Sequence, residues 1–268
     1  MRLLQNMENK NKVEKANNPL VNFLLVGAQK SGTTTLHAYL QEHLEIKMSS
    51  KKEVHFFNKD DYFKKNMPDY TYYHSFFDVS GADKYLYGEA TPAYMYCRDA
   101  PRRIWQYNPN MKIIVILRNP IDRAYSHWNM EVSRGAETLG FEDALKQEEK
   151  RCREALPAQH YVYSYLDRGS YSSQIRELWR FFKREHVLIL KYEQLKNDPE
   201  SVLIKTFNFL GVNGLPSKSF LLEEKILHRA SYKEKMSDET RLFLKKYFRA
   251  EIFQLEYLLG SKYGDWLA

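Results

Sequence analysis

Short apolar runs separated by helical repeats make up most of this chain. The runs at residues 21–26, 111–117 and 187–190 are nearly continuous, and 85–87 is a shorter one. Such runs are typical of strands that are buried on both faces of a parallel sheet. We therefore predict four strands at these positions.

Helical spacing of apolar residues follows most of these runs. We predict helices over residues 33–43, 121–134, 141–153, 172–183 and 199–210, and a last helical stretch from Ser237. Proline at a first helical position and glycine just after a last one mark helix ends. Residues 156–170 and 212–233 are predicted to be irregular. Strands alternating with helices predict an α/β fold, a single domain with a central parallel sheet flanked by helices.

The domain is predicted to cover residues 20–268, after a flexible N-terminal arm at 1–19. The arm is rich in Asn, Lys and Glu and has no apolar core, so it does not resemble a secretory signal. No apolar stretch approaches 18 residues, so no transmembrane helix is expected. We predict a soluble cytoplasmic protein, or a catalytic domain excised from a larger one. Cys97 and Cys152 lack metal-ligand spacing and are predicted to be free thiols, with one disulfide as the alternative.

The loop between the first strand and the first helix contains the first candidate chemistry. Gly27–Thr34 combines two glycines, a lysine and several hydroxyl side chains. A strand–loop–helix of this kind directs backbone N–H groups and the positive end of a helix dipole toward one point. We therefore predict a P-loop-like anion-binding loop. The alternative is an ordinary turn whose lysine has no functional role.

This loop differs from the loop of nucleotide triphosphatases. Thr33 stands where that pattern requires lysine, and the lysine lies inside the loop as Lys30. The strand at 111–117 is followed by Arg118 and not by a magnesium-binding acid. The pattern favours an anionic donor that needs no metal, and no metal site is predicted.

Two motifs together resemble a known family. Gln29-Lys30-Ser31-Gly32-Thr33-Thr34 follows the first strand, and the segment Leu117–Ser126 follows a later one. In this order they closely resemble the sulfotransferases that use 3′-phosphoadenosine-5′-phosphosulfate. Lys51–Phe57 and Gly88–Tyr94 resemble the branch that contains the heparan sulfate sulfotransferases and their bacterial relatives. The resemblance covers about residues 21–267. It implies transfer of a sulfuryl group to a hydroxyl acceptor, with 3′,5′-bisphosphoadenosine as the product.

The resemblance also implies which residues bind the donor. The 5′-phosphosulfate falls to the loop residues Gln29, Lys30, Ser31, Gly32, Thr33 and Thr34. The 3′-phosphate falls to Arg118 and Ser126, whose guanidinium and hydroxyl groups suit phosphate oxygens. Weaker similarity places Tyr171 near the adenine and puts Arg229 and Lys233 in a basic loop over the donor. The last two are alternatively plain surface charges.

Two residues are candidates for the general base. The family's base falls on Glu53, and a carboxylate can take the proton of an attacking hydroxyl. His55 would point the same way if this segment is extended, and would then share or assume the role. Alternatively, Glu53 is an exposed charge beside Lys51 and Lys52, and His55 is a ring packed among phenylalanines.

The acceptor is less well defined. Glycan-modifying relatives usually carry lysine in place of Ala90 and often aspartate in place of Asn58. The resemblance favours a glycan or glycolipid, and a lipid, polyketide or small phenolic hydroxyl is the alternative.

Two other classes of function compete with this interpretation. One is a P-loop nucleotide kinase or switch protein, which the absence of Gly-Lys-Thr disfavours. The other is a non-catalytic protein that binds polyanions through a net charge of +7. The sequence contains no recognised nucleic-acid module, so nucleic acid is not an expected partner.

Overall fold

A five-stranded parallel sheet forms the centre of the molecule. The computed structural model describes residues 20–64, 68–80, 84–214 and 235–268. In these residues the strands are β1 (Phe23–Gly27), β2 (Ile46–Met48), β3 (Leu86–Ala90), β4 (Lys112–Leu117) and β5 (Val187–Lys191). Their order is β2-β3-β1-β4-β5, and every neighbouring pair is parallel. The predicted α/β fold with a central parallel sheet is confirmed.

The helices cover both faces of this sheet. They are α1 (Thr33–Gln41), α2 (Thr71–His74), α3 (Ala100–Tyr107), α4 (Pro120–Ser133), α5 (Phe141–Glu154), α6 (Tyr171–Phe181), α7 (Tyr192–Asn197), α8 (Pro199–Leu210) and α9 (Asp238–Leu259). Two of the helix starts predicted from sequence have side-chain caps. Asn119 accepts a hydrogen bond from Ile121 N at 3.0 Å, and Ser237 accepts one from Thr240 N at 3.1 Å. None of the described helices is both long and apolar enough to cross a membrane.

Alternate residues of the central strands face different helices. Leu25 and Ile114 pack with apolar residues of α1 and α8 on one face of the sheet. Leu24 and Ile113 pack on the other face with apolar residues of α3, α4, α6 and α9. Both faces are therefore buried, which explains why these strands read as continuous apolar runs.

Several elements differ from the sequence prediction. The edge strand β2 and the helices α2, α3 and α7 were not predicted. β3 continues through Gly88 to Ala90, beyond the strand predicted at 85–87. Gly88 fits there because a Cβ on it would come within 2.0 Å of the Phe23 ring on β1. Close contact between strands, rather than a change of chain direction, accounts for this glycine.

The carboxyl ends of three strands meet at one edge of the sheet. Met95 N donates to Val26 O at 2.9 Å, which brings the segment after β3 to the end of β1. Ala28 N donates to Ile116 O at 2.8 Å, and Glu53 N donates to Ala90 O at 3.0 Å. The segments that follow β1, β3 and β4 therefore gather where ligands bind in open α/β sheets.

Candidate active site

The loop between β1 and α1 has the features of an anion-binding site. Lys30 and Gly32 have left-handed backbone angles, φ 69° and φ 86°. No side chain caps the start of α1 in the described structure, and its first turn contains no acid. Ser31 Oγ and Gln29 Oε1 are buried and have no hydrogen-bond partner among the described residues. The Ser31 hydroxyl can donate a hydrogen bond, and a free donor beside an uncapped helix N-terminus fits an anionic ligand.

The glycine of this loop makes room for an aromatic ring. A Cβ on Gly32 would lie 2.8 Å from Cδ2 of Tyr192, the first residue of α7. The same ring lies under the guanidinium of Arg118, which is 4.8 Å from the ring centroid. Tyr192 therefore contacts both the β1 loop and the residue that follows β4. Tyr192 was not among the predicted site residues, although it follows a predicted strand at the ligand-binding edge.

Arg118 contacts the β1 loop directly. Its Nη1 donates to Lys30 O at 3.0 Å. The two predicted donor motifs therefore lie side by side, as a single nucleotide ligand requires. Tyr171 is fully buried and donates from its hydroxyl to Arg118 O at 2.8 Å, so it supports the end of β4. Ser126 is buried on α4, and its predicted convergence with Arg118 on one phosphate stays a prediction.

Lys30 lies in a mixed electrostatic field. Burial is the main cause that lowers the pKa of its ammonium group, and Arg118 and Arg134 lower that pKa further. The carboxylates of Glu131 and Glu53 act in the opposite direction. The charge of Lys30 is therefore influenced both by the Glu53 segment and by residues at the end of α4.

Glu53 and His55 lie in an irregular segment, which we call the Glu53 turn, and not in an extended one. Their φ angles are 61° and 58°, both left-handed, so the extended geometry that we considered for His55 is wrong. Their side chains nevertheless meet, with His55 Nε2 at 3.5 Å from Glu53 Oε2. Lys52 Nζ lies 2.9 Å from the other carboxylate oxygen. The His55 contact, together with Lys52, lowers the pKa of Glu53 to about 2 against the opposing effect of burial.

Asn58 completes this group. Its Nδ2 lies 3.2 Å from His55 Nδ1. When Asn58 donates there, the proton of a neutral His55 ring is on Nε2, which faces Glu53. His55 then donates a hydrogen bond from Nε2 to the Glu53 carboxylate.

A second polar group on α4 was missed by the sequence analysis. His127 and Glu131 are buried, with His127 Nε2 at 3.6 Å from Glu131 Oε1. Arg134 Nη1 lies 3.3 Å from the same oxygen. Burial and nearby cations hold the pKa of His127 well below its ordinary value, so the ring is neutral. The spacing of these residues, at four and then three positions along one helix, was the available signal.

Other predicted features have mixed outcomes. Arg229 and Lys233 lie outside the described residues. Cys97 and Cys152 are free in the structure. No group of three His, Cys, Asp or Glu residues in the described ranges is arranged to hold a metal ion. The expectation of metal-free chemistry stays a prediction, as do the N-terminal arm and the domain boundary at residue 20.

The family of the chain follows from comparison with known proteins. A model of the sulfotransferase domain matches residues 21–252. The chain belongs to the sulfotransferase family. The family predicted from the sequence motifs is confirmed. Membership in it decides against a nucleotide kinase and against a non-catalytic polyanion-binding protein.

Relatives of this sulfotransferase include enzymes named for heparan sulfate. A human bifunctional heparan sulfate N-deacetylase/N-sulfotransferase 3 is 30% identical over 95% of this chain and 32% of its own length. A human heparan sulfate glucosamine 3-O-sulfotransferase 6 is 30% identical over 70% of this chain and 52% of its own. The chain thus spans about a third to a half of these relatives.

A solved structure supports the same assignment. The crystal structure of a sulfotransferase from Alicyclobacillus acidocaldarius is 29% identical. It covers 92% of this chain and 99% of its own, with a TM-score of 0.78. The fold, including the strand–loop–helix that forms the candidate site, is therefore that of a sulfotransferase.

Proposed function

We propose that this sulfotransferase moves a sulfuryl group from 3′-phosphoadenosine-5′-phosphosulfate to a hydroxyl group of a glycan or glycolipid. The observation that carries the proposal is the contact between the β1 loop and Arg118, at 3.0 Å from Nη1 to Lys30 O. This contact supports the proposal because it brings together two cationic residues that would bind the two phosphate-bearing ends of one nucleotide.

The residues of the β1 loop fit the phosphosulfate end of this donor. The unpartnered Ser31 hydroxyl and the uncapped start of α1 supply hydrogen-bond donors for anionic oxygens. Arg118 supplies a planar fork for the 3′-phosphate, and Tyr192 supports that fork from below. Gln29, Thr33, Thr34 and Ser126 complete the proposed donor set.

The bound donor supplies the activated sulfuryl group. The residues of this chain align the donor with the acceptor and stabilise the charge that develops during the transfer. Lys30 presents a partly desolvated cation where negative charge builds on the leaving oxygen, an interaction that strengthens outside water. Glu53 takes the proton of the acceptor hydroxyl, and His55 orients the carboxylate through its Nε2. Glu53 stays ionised over the ordinary pH range because its pKa is lowered to about 2.

The acceptor class rests on the relatives, whose names specify heparan sulfate. Ala90, where glycan-modifying relatives usually have lysine, is fully buried at the end of β3. This chain therefore recognises its glycan with one cation fewer near the site. A lipid, polyketide or phenolic hydroxyl is the second candidate. We also propose a cytoplasmic location, no requirement for a metal ion and no nucleic-acid partner.

The test combines turnover with donor binding. We expect the protein with ³⁵S-labelled donor to label oligosaccharides in an acceptor panel that also contains fatty alcohols and phenols. In calorimetry we expect wild type to bind 3′,5′-bisphosphoadenosine more tightly than adenosine 5′-phosphate. Arg118→Met should abolish most of that preference, because the guanidinium is the proposed contact of the 3′-phosphate. Equal affinity of wild type for the two nucleotides would contradict the site. Labelling of phenols or alcohols alone would contradict the acceptor class.

A further inference from the structure

Backbone N–H groups of the Glu53 turn donate hydrogen bonds to the end of β3 and to the segment that follows it. Four consecutive donors are involved: Glu53 N to Ala90 O at 3.0 Å, Val54 N to Glu89 Oε1 at 3.3 Å, His55 N to Thr91 Oγ1 at 3.3 Å and Phe56 N to Tyr94 Oη at 2.9 Å. Three of the four acceptors are side-chain oxygens. Side chains that bind backbone at this spacing determine the local backbone conformation.

The turn needs this support because its backbone is strained. Glu53 and His55 are not glycines, yet both have φ near +60°. Residues held in such regions cost about 1–3 kcal/mol each and persist only when the surroundings determine them. The four hydrogen bonds provide that determination, and they hold Glu53 beside His55.

Glu89 is the buried centre of this support. Its side chain is fully buried and accepts from Val54 N, from Thr91 Oγ1 and from Tyr73 Oη at 3.2 Å. Burial raises the pKa of Glu89, whereas these hydrogen bonds favour the ionised form. A carboxylate that accepts several hydrogen bonds is well suited to hold several donors at fixed positions.

Thr91 links the two parts of the arrangement. Its hydroxyl accepts from His55 N and donates to Glu89 Oε1, so one oxygen connects the turn to the buried carboxylate. Tyr94 anchors the next residue of the turn independently, through its hydroxyl.

We propose that Glu89, Thr91 and Tyr94 are positioning residues that hold the Glu53–His55 turn in its left-handed conformation and thereby orient the proposed base. This inference rests on the proposed function, since it assigns a task to residues behind Glu53. It also explains the Gly88–Tyr94 motif, to which the donor site assigns no role. None of the three is proposed to touch the donor or the acceptor.

The decisive comparison is Thr91→Val against Thr91→Ser. Valine has the shape of threonine but lacks the hydroxyl, whereas serine keeps it. We expect Thr91→Val to lower kcat about 10²-fold, the effect of misplacing a reacting group by about 1 Å. The Kd for 3′,5′-bisphosphoadenosine should be unchanged, because the β1 loop is untouched. The acidic limb of the kcat–pH profile should move to higher pH, because Glu53 loses the His55 contact that lowers its pKa. Thr91→Ser should restore all three properties.

A second measurement does not depend on turnover. ¹³C NMR titration of the Glu53 carboxyl, assigned with Glu53→Gln, should show its pKa rise in Thr91→Val and in Tyr94→Phe but not in Thr91→Ser. If the variants showed this pattern of Glu53 pKa values while wild type labelled no acceptor, the proposed function would fail and the positioning role would stand. An unchanged Glu53 titration in Thr91→Val and Tyr94→Phe would overturn the positioning role. A fall in kcat together with weakened nucleotide binding, unrescued by serine, would show a general structural role and overturn it as well.

Discussion

Replacing Gly32 by alanine tests whether the β1 loop, Tyr192 and Arg118 act as one unit. Gly32 has φ 86°, and a Cβ there would lie 2.8 Å from Cδ2 and 3.1 Å from Cε2 of the Tyr192 ring. Such contacts are too short to persist, so the ring must move. Arg118 lies over the same ring at 4.8 Å, so moving the ring disturbs the guanidinium that contacts Lys30 O.

The expected loss of stability has two parts. A left-handed backbone costs a non-glycine residue about 1–2 kcal/mol. Forcing the Tyr192 ring away from its rotamer adds about 0.5–1.5 kcal/mol. Gly32→Ala should therefore lower the free energy of unfolding by about 1.5–3.5 kcal/mol. We also expect the affinity for 3′,5′-bisphosphoadenosine to fall about tenfold, or about 1.4 kcal/mol, because the loop and Arg118 both shift.

Gly260 provides a matched control. It has φ 63° at the end of α9, and a Cβ there would meet nothing within 4 Å. Gly260→Ala should lose only the backbone part, about 1–2 kcal/mol, and keep nucleotide affinity. Urea unfolding and calorimetry on both variants measure the two quantities. Equal destabilisation of the two variants, with nucleotide affinity unchanged in Gly32→Ala, would refute the reasoning, since Tyr192 would then move freely without affecting Arg118.

Two further predictions concern titrating groups. Glu53→Gln should lower kcat by about 10²–10⁴-fold, as loss of a general base does. His55→Phe should lower it only about tenfold, as loss of one orienting hydrogen bond does; steady-state kinetics that gave the reverse order would make His55 the base. Burial raises the pKa of Glu148 from 4.5 to about 7 even though Leu166 N donates to it. Glu148 therefore contributes fully to stability only below about pH 4.5, and that contribution is lost as pH rises toward 7. Relative to Glu148→Gln, wild type should lose about 2–3 kcal/mol of unfolding free energy over this range, measured in urea; parallel pH curves would exclude this role.

Local patterns in the sequence account for most of the fold. The buried runs of β1 and β4 appear as continuous apolar segments because both faces of each strand are covered. Pro120 predicted the start of α4 through its fixed backbone angle, and the structure adds a side-chain cap from Asn119. The donor motifs were readable for the same reason, since a strand–loop–helix sits within one short segment.

Elements whose stability depends on neighbours were not predicted. β2 is three residues long and exists because it pairs with β3. α3 and α7 are short, and helices of this length are held by packing rather than by propensity. The strand predicted at 85–87 stopped short of the end of β3, because a glycine such as Gly88 is as typical of a turn as of close contact between strands.

The candidate site also has features that local sequence predicts and features that depend on tertiary contacts. The residues proposed to carry the chemistry, above all Lys30, Arg118 and Glu53, could be chosen from the sequence by itself, because residue type and motif order are local properties. Only the tertiary structure decided that Tyr192 lies against both Gly32 and Arg118, and that Glu53 lies in a left-handed segment held by buried oxygens. Those contacts join residues far apart in the chain, and the hydrogen bonds that stabilise a strained backbone appear only when the sheet edge is assembled.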